Sequence, residues 1–299
     1  MFSRAVLAFV IPAIIAGSAQ AQGRVDRGLP LNPDAGIRIY NTVGSVRVIG
    51  WARDSIAVRG TIGEGNVLHF GGGRTGVKMF VEGRDERNPA AAAIEVMVPS
   101  KASVWVKSSS ADIDVTGVTG SLDLYVVGGR ITVNGNPADL NAEAIDGAIK
   151  VTGSPGWIRA KSASGDVTFT GSCADVTLST VSGKIDAGGA AFEKAKFETV
   201  IGDIRFAGSF RRGGLVNFDT HSGTIEVGLT QGSPADFDIV SMSGVISNKL
   251  TSTKPMKGRY GRGAELGTSS GGGGTRVVVR SFKGPISLLS ISKERRAGQ

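Results

Sequence analysis

Trp157-Ile-Arg-Ala-Lys-Ser-Ala-Ser-Gly-Asp-Val-Thr-Phe-Thr-Gly171 is the stretch whose reading decides the fold. Apolar and polar residues alternate through Ile158 and Ala160, a Ser-Gly turn follows, and alternation resumes at Val167 and Phe169. Strict period two on both sides of a turn marks two half-buried strands. The pattern then recurs in both directions along the chain.

With the turn glycine as reference, equivalent positions fall at Ala111, Gly129, Gly147, Gly165 and Gly183, each 18 residues on. Gly202, Gly223 and Gly244 follow at steps of 19, 21 and 21, with outlying copies at Gly44 and Gly284. Two residues after the reference runs an apolar column from Val46 and Ile113 to Ile246 and Ile286, and four after it another from Val48 and Val115 to Phe206 and Val227. Five and seven before it run two more, which begin at Ile39 and Ile37 and end at Val279 and Val277.

A unit this small cannot bury an apolar face alone, but stacked units can. The repeat predicts an all-β fold, a parallel β-solenoid or β-helix with about 18–21 residues per coil. Coils would pair at roughly 4.8 Å, and a right-handed sense is adopted as the expectation. The glycine is expected to supply a corner conformation that a Cβ disfavours. Small residues three before it, such as Ser108, Ala144 and Ser162, would let the chain turn tightly. An antiparallel sandwich also has short alternating strands, but constant position identity over so many copies argues against it.

The 299 residues suffice for one elongated domain or two compact ones. Residues 1–21 carry Arg4, an apolar run and an Ala19-Gln20-Ala21 site, the pattern of a signal peptide cleaved after Ala21. The run is short for a membrane span. The mature chain is therefore expected to be exported: periplasmic, on the outer surface or secreted. Residues 22–36 read as a lead-in, 37–289 as the repeat domain, 51–100 as an irregular β cap and 249–275 as a basic, glycine-rich loop. A basic tail, 290–299, ends the chain. The net charge of +8 is concentrated, since residues 249–299 hold 11 Lys and Arg against two acids.

Copies such as Ser164-Gly-Asp-Val-Thr-Phe-Thr-Gly171, Ser182-Gly-Lys-Ile-Asp-Ala-Gly188 and Ser222-Gly-Thr-Ile-Glu-Val-Gly228, with the lead-in Val96-Met-Val-Pro-Ser100, resemble the bacterial putative-adhesin family. The resemblance covers about residues 37–289 and rests on turn-and-strand patterns. It implies an exported or surface β-solenoid with no catalytic set and no cofactor.

Chemistry-bearing residues are sparse. Asp112 and Asp114 share a face roughly 7 Å apart, a separation that would suit an inverting glycosidase. Their columns alternate in sign along the stack, as a solvated sheet requires. Asp219, His221 and Ser222 contain triad residue types, but neighbours in sequence splay apart at a turn. His69 has no acidic partner in sequence. Cys173 is the sole cysteine, which rules out an intrachain disulfide or a cysteine-rich zinc site. No calcium-binding solenoid motif is present, and Gly71–73 and Gly271–274 lack the residues of a phosphate loop.

The best interaction candidate is Lys249, Lys254, Lys257, Arg259, Tyr260 and Arg262, a cationic surface for anionic polysaccharide, envelope or membrane surfaces. Stacking aromatics are too few for nucleic acid. The expected function is a non-enzymatic, envelope- or surface-associated binding or structural module. The alternative is a carbohydrate-active enzyme on a β-helix, a polysaccharide lyase or hydrolase.

Overall fold

The structure is a computed structural model and describes residues 23–85, 87, 89–258 and 261–291. The segment 1–21 expected to be a signal peptide, Arg259, Tyr260 and residues 292–299 lie outside the described residues. The chain is all-β, with 25 strands joined in one hydrogen-bonded sheet and no helix among the described residues.

Two ladders run side by side. In the first, Ser103–Ser108, Ser121–Val126, Asp139–Ala144, Trp157–Ser162 and Asp175–Ser179 pair in parallel, each strand 18 residues from the next. In the second, Asp112–Thr116, Ile131–Asn134, Ile149–Gly153 and Val167–Ser172 do the same. Ile185–Thr199 and Ile204–Thr220 run round the corner and belong to both. The register aligns the apolar columns: Leu140 pairs with Ile158, and Ile149 with Val167. Every residue named in those four columns is buried. A fully buried side chain of this kind stabilises the fold by about 1.5–3 kcal/mol.

The corners work differently from the expectation. The reference glycines Gly147, Gly165 and Gly183 do not have positive φ. They are required by close approach, because a Cβ on Gly147 would overlap the Gly129 carbonyl and one on Gly165 the Gly147 carbonyl. Positive φ belongs to a second column six residues later, Gly117, Gly135, Gly153, Gly171 and Gly189. The small residues three before the corner are mostly hydroxyls with a specific job. Thr180 Oγ1 accepts from the Gly183 amide at 3.2 Å and donates to the Gly165 carbonyl at 3.1 Å.

Strand orientation is mixed, and the departures from a uniformly parallel stack lie at the two ends. Residues 22–36 are not a free lead-in, since Gly23–Pro30 pairs antiparallel with Ser55–Ile62. Ser55–Ile62 pairs antiparallel with Ala92–Pro99, and Val67–Gly73 with Gly76–Glu82. The supposed irregular cap also contributes a coil of its own. Gly76–Glu82 and Ala92–Pro99 extend the two ladders beside Gly36–Asn41 and Gly44–Trp51. At the other end the basic loop includes Ala264–Ser270, antiparallel to Ala235–Ser241. The final coil is not outermost. Arg276–Ser281 lies between 215–220 and Ala235–Ser241, and Ile286–Ile291 between Ile225–Thr230 and Ile246–Asn248. Antiparallel strands thus cover coil edges that would otherwise invite strand addition.

Candidate functional site

The outward face of the first ladder near its N-terminal end carries an unusual set of side chains. Inward alternation at Ile37 and Ile39 turns Arg38 and Tyr40 outward, and Val104 and Val106 do the same for Trp105 and Lys107. Register then builds two adjoining rows: Lys78, Arg38, Trp105 and Asp123 in one, Phe80, Tyr40, Lys107 and Tyr125 in the other.

Aromatics and cations interleave here. Tyr40 and Trp105 meet edge to face with centroids 4.8 Å apart. Lys78 Nζ lies 5.4 Å from the Tyr40 centroid and 5.5 Å from that of Phe80, while Lys107 Nζ lies 5.3 Å from Tyr125. Such contacts hold an exposed ammonium in place with about 0.5–1 kcal/mol each. His69 stacks on Phe80 at 4.3 Å and meets Glu82 at 2.5 Å, the acidic partner that its sequence neighbours do not provide.

Beside these rings lies a hollow of about 840 Å³ lined by Arg38, Tyr40, Lys78, Trp105 and Asp123. Part of its wall is glycine: Gly36, Gly71, Gly72 and Gly76. A Cβ on Gly36 or Gly71 would meet nothing within 4 Å, and neither has positive φ. Neither packing nor backbone conformation demands glycine at those two positions. Their effect is to leave the hollow open.

The sequence offered a weak signal for this site. Tyr40, Trp105 and Tyr125 occupy outward positions that carry Asn141, Glu143, Arg159 and Lys161 on later coils. Their convergence follows once the coil 36–51 is set beside 103–116, and the coil formed by 76–99 adds Lys78 and Phe80 from the other side.

The other candidates resolve individually. Asp112 accepts from Arg130 at both the backbone amide, 2.9 Å, and the guanidinium, 2.7 Å. Asp166 and Asp203 likewise accept the Lys184 and Thr224 amides of the adjacent coil, each at 2.8 Å. These aspartates tie coil to coil. His221 stacks on Phe282 at 4.9 Å. Burial and the nearby Glu198 hold the Asp219 carboxyl above the usual range, against Arg280 and Lys196. Burial pushes the Cys173 thiol up to about 11, which removes thiolate at neutral pH. Among the described residues no group of three or more His, Cys, Asp and Glu side chains could hold a metal ion. No helix among them is long and apolar enough to cross a membrane.

In the basic loop, Lys249, Lys254, Lys257 and Arg262 are exposed. The Lys249 amide donates to the Leu288 carbonyl at 2.9 Å. Lys257 sits on the two-residue strand Met256–Lys257. Arg262 lines a hollow of about 850 Å³ together with Met242, Phe282 and the carboxylates Asp238 and Glu265.

The fold and this face describe an all-β chain with an open, aromatic- and cation-bearing surface. No protein-family model matches the chain, and no curated protein does. Solved structures similar to it include a putative cell adhesion protein from Clostridium sporogenes, 9% identical with a TM-score of 0.22, covering 90% of this chain and 100% of that one. A putative adhesin from Bacteroides fragilis is 10% identical with a TM-score of 0.49, covering 90% and 99%. A putative lipid binding protein from Parabacteroides distasonis is 14% identical with a TM-score of 0.38, covering 90% and 96%. The role of the face must therefore be argued from its own residues.

Proposed function

We propose that this protein is an exported, non-enzymatic β-solenoid of the adhesin-like kind that binds polysaccharide on the outward face of its first ladder. The observation that carries this reading is the Tyr40–Trp105 pair at the rim of a glycine-walled hollow. A sugar ring has apolar C–H faces and a polar edge. A half-buried aromatic that faces outward can cover the first, and the neighbouring Arg38, Lys78, Ser103 and Asp123 can hydrogen-bond the second. Arg38, Lys78 and Lys107 favour chains that carry carboxylate or sulfate. An open sheet face suits a polymer, which can lie across several coils.

Affinity electrophoresis through gels containing neutral or anionic polysaccharides tests the proposal. The protein is expected to be retarded, and Trp105→Ala to raise the apparent Kd at least about tenfold, the loss of one aromatic anchor. An unretarded protein in every gel would sink it. New reducing ends after prolonged incubation would favour the lyase or hydrolase alternative. Export is proposed on the signal-peptide pattern alone, and a mature chain that starts at Gln22 would support it.

A further inference from the structure

A second surface is left over, on the corner that joins the two ladders. The residue two places before each corner glycine faces outward. On the coils from Val127 to Met242 this position is mostly apolar. Val127, Ile145, Val181, Val200, Phe282 and Met242 are each 39–50% exposed. Ala163 and His221 complete the file. Corner amides donate from coil to coil, as from Ile145 to the Val126 carbonyl and from Phe282 to the Thr220 carbonyl, so the file is evenly spaced. An apolar file of this length on a protein surface marks an interaction site.

We propose that this corner binds a second copy of the same chain, antiparallel, with the two-fold axis between Val181 and Val200. In that register Val181 meets Val200 of the second copy, and Ile145 meets Phe282. Small Ala163 meets bulky His221, and Val127 meets Met242. The flanks decide the register. Four residues before the corner glycines, Glu143 falls opposite Arg280 and Lys161 opposite Asp219. One residue before them, Asp146 falls opposite Lys283. One residue after them, Lys184 falls opposite Asp203. Each of these pairs occurs twice by symmetry.

Neighbouring registers fail. Centring the axis on Val181 sets Glu143 against Asp219 and Asp166 against Asp203. Centring it on Val200 sets Lys161 against Arg280. Like charges so placed oppose association, whereas complementary ones fix register. Among the described residues, none of the eight charged side chains in the favoured register forms an ion pair within 4 Å inside its own chain. Eight coils at about 4.8 Å, with flanks roughly 20 Å wide, offer about 750 Å² per copy. Stable interfaces bury about 600–1,000 Å² per partner, so this area is sufficient. The same three flanking positions on the eight coils carry six acids and five bases, so an anionic bilayer would gain no net attraction from this surface.

Cysteine pairing tests both the contact and its register. Within one chain Glu143 and Arg280 are five coils apart, through Lys161, Ser179, Glu198 and Asp219, which is about 24 Å. No disulfide spans that distance, and Cys173 is buried. Glu143→Cys protein mixed with Arg280→Cys protein should form a covalent dimer on mild oxidation, while neither variant alone should. In sedimentation, the mature chain should be a dimer at micromolar concentration. Lys161→Glu should weaken that dimer about tenfold or more, and Lys161→Glu combined with Asp219→Lys should restore it. A monomeric wild type, a dimer indifferent to the charge exchange, or absence of the mixed disulfide would overturn the proposal.

Discussion

The Ser162 hydroxyl stands against the Gly147 carbonyl of the preceding coil, to which it donates at 2.9 Å, while it accepts from the Gly165 amide at the same distance. One side chain thus closes its own corner and ties it to the preceding one. Ser162→Ala removes both bonds at a buried site, and a loss of about 1–3 kcal/mol in unfolding free energy is expected from urea titration. Ser281 occupies the same place in its coil, but its buried hydroxyl has no hydrogen-bond partner among the described residues. Ser281→Ala should therefore leave stability unchanged or raise it, because no bond is lost and a buried unpaired hydroxyl is removed. Equal losses at the two positions would contradict the role assigned to the hydroxyl.

Gly147 and Gly36 separate two reasons for glycine. At Gly147 a Cβ would overlap backbone of the adjacent coil, which cannot give way without parting the ladder. Gly147→Ala is expected to cost more than about 3 kcal/mol, or to prevent folding, the range of a severe steric defect. Gly36 faces open space on a strand. A β-branched residue there should be neutral or stabilising by up to about 1 kcal/mol. Gly36→Thr also places a side chain in the hollow beside Trp105, so polysaccharide binding should fall while the melting temperature holds or rises. Binding that survives a stable Gly36→Thr would detach the hollow from function.

Phe192 lies outside the repeat columns yet is fully buried, 5.9 Å from Phe169 and 5.3 Å from Phe206 between ring centroids. It fills the interior next to Ala187, the small residue that stands between Phe169 and Phe206 in its column. Phe192→Ala should cost about 3–5 kcal/mol. Ala187→Phe should also destabilise, by about 1–3 kcal/mol, because the space is already occupied. A neutral Ala187→Phe would mean that Phe192 does not occupy that space.

These cases show which parts of the fold a sequence can carry. Columns such as Ile37, Val104 and Leu122 are readable because a stacked register repeats the same demand on every coil. Phe192 is not, because it answers the one coil where the column residue is too small. The coil formed by Val77, Met79, Ile94 and Val96 lacks a corner glycine, and its two strands are separated by residues 83–91. Intercalation of 276–291 is a long-range pairing with no local signature. The Phe80 end of the aromatic face depends on the 76–99 coil: Phe80 reaches Tyr40 only through the register of Gly76–Glu82 on Gly36–Asn41. Corner hydroxyls were present in the sequence as small residues, but their second bond, to the adjacent coil, appears only in the stack.

Cys173 provides a probe of the folded core by pH. Burial raises its thiol from 9.0 to about 11 in the folded chain, so between those values the unfolded chain loses a proton that the folded chain keeps. Fewer protons on the unfolded state means that stability falls as pH rises through this window. Cys173→Ser, which cannot ionise there, should flatten that part of the profile. Alkylation by iodoacetamide at pH 8 should be slow in the folded protein and fast in urea. Rapid alkylation without denaturant would contradict its burial.

Salt dependence distinguishes the aromatic face from the basic loop. Stacking of a sugar on Trp105 and Tyr40 is a short-range contact, whereas cations on an exposed loop act through a field that salt screens within about 8–10 Å. If the aromatic face holds the ligand, binding of an anionic polysaccharide should weaken only in part between 50 and 500 mM salt, and binding of a neutral one hardly at all. The Lys254→Ser/Lys257→Ser/Arg259→Ser/Arg262→Ser variant should then bind as the parent does, and Trp105→Ala should not. The opposite pattern, salt-abolished binding that the quadruple variant loses and Trp105→Ala retains, would move the site to the loop that the distribution of charge along the sequence first suggests.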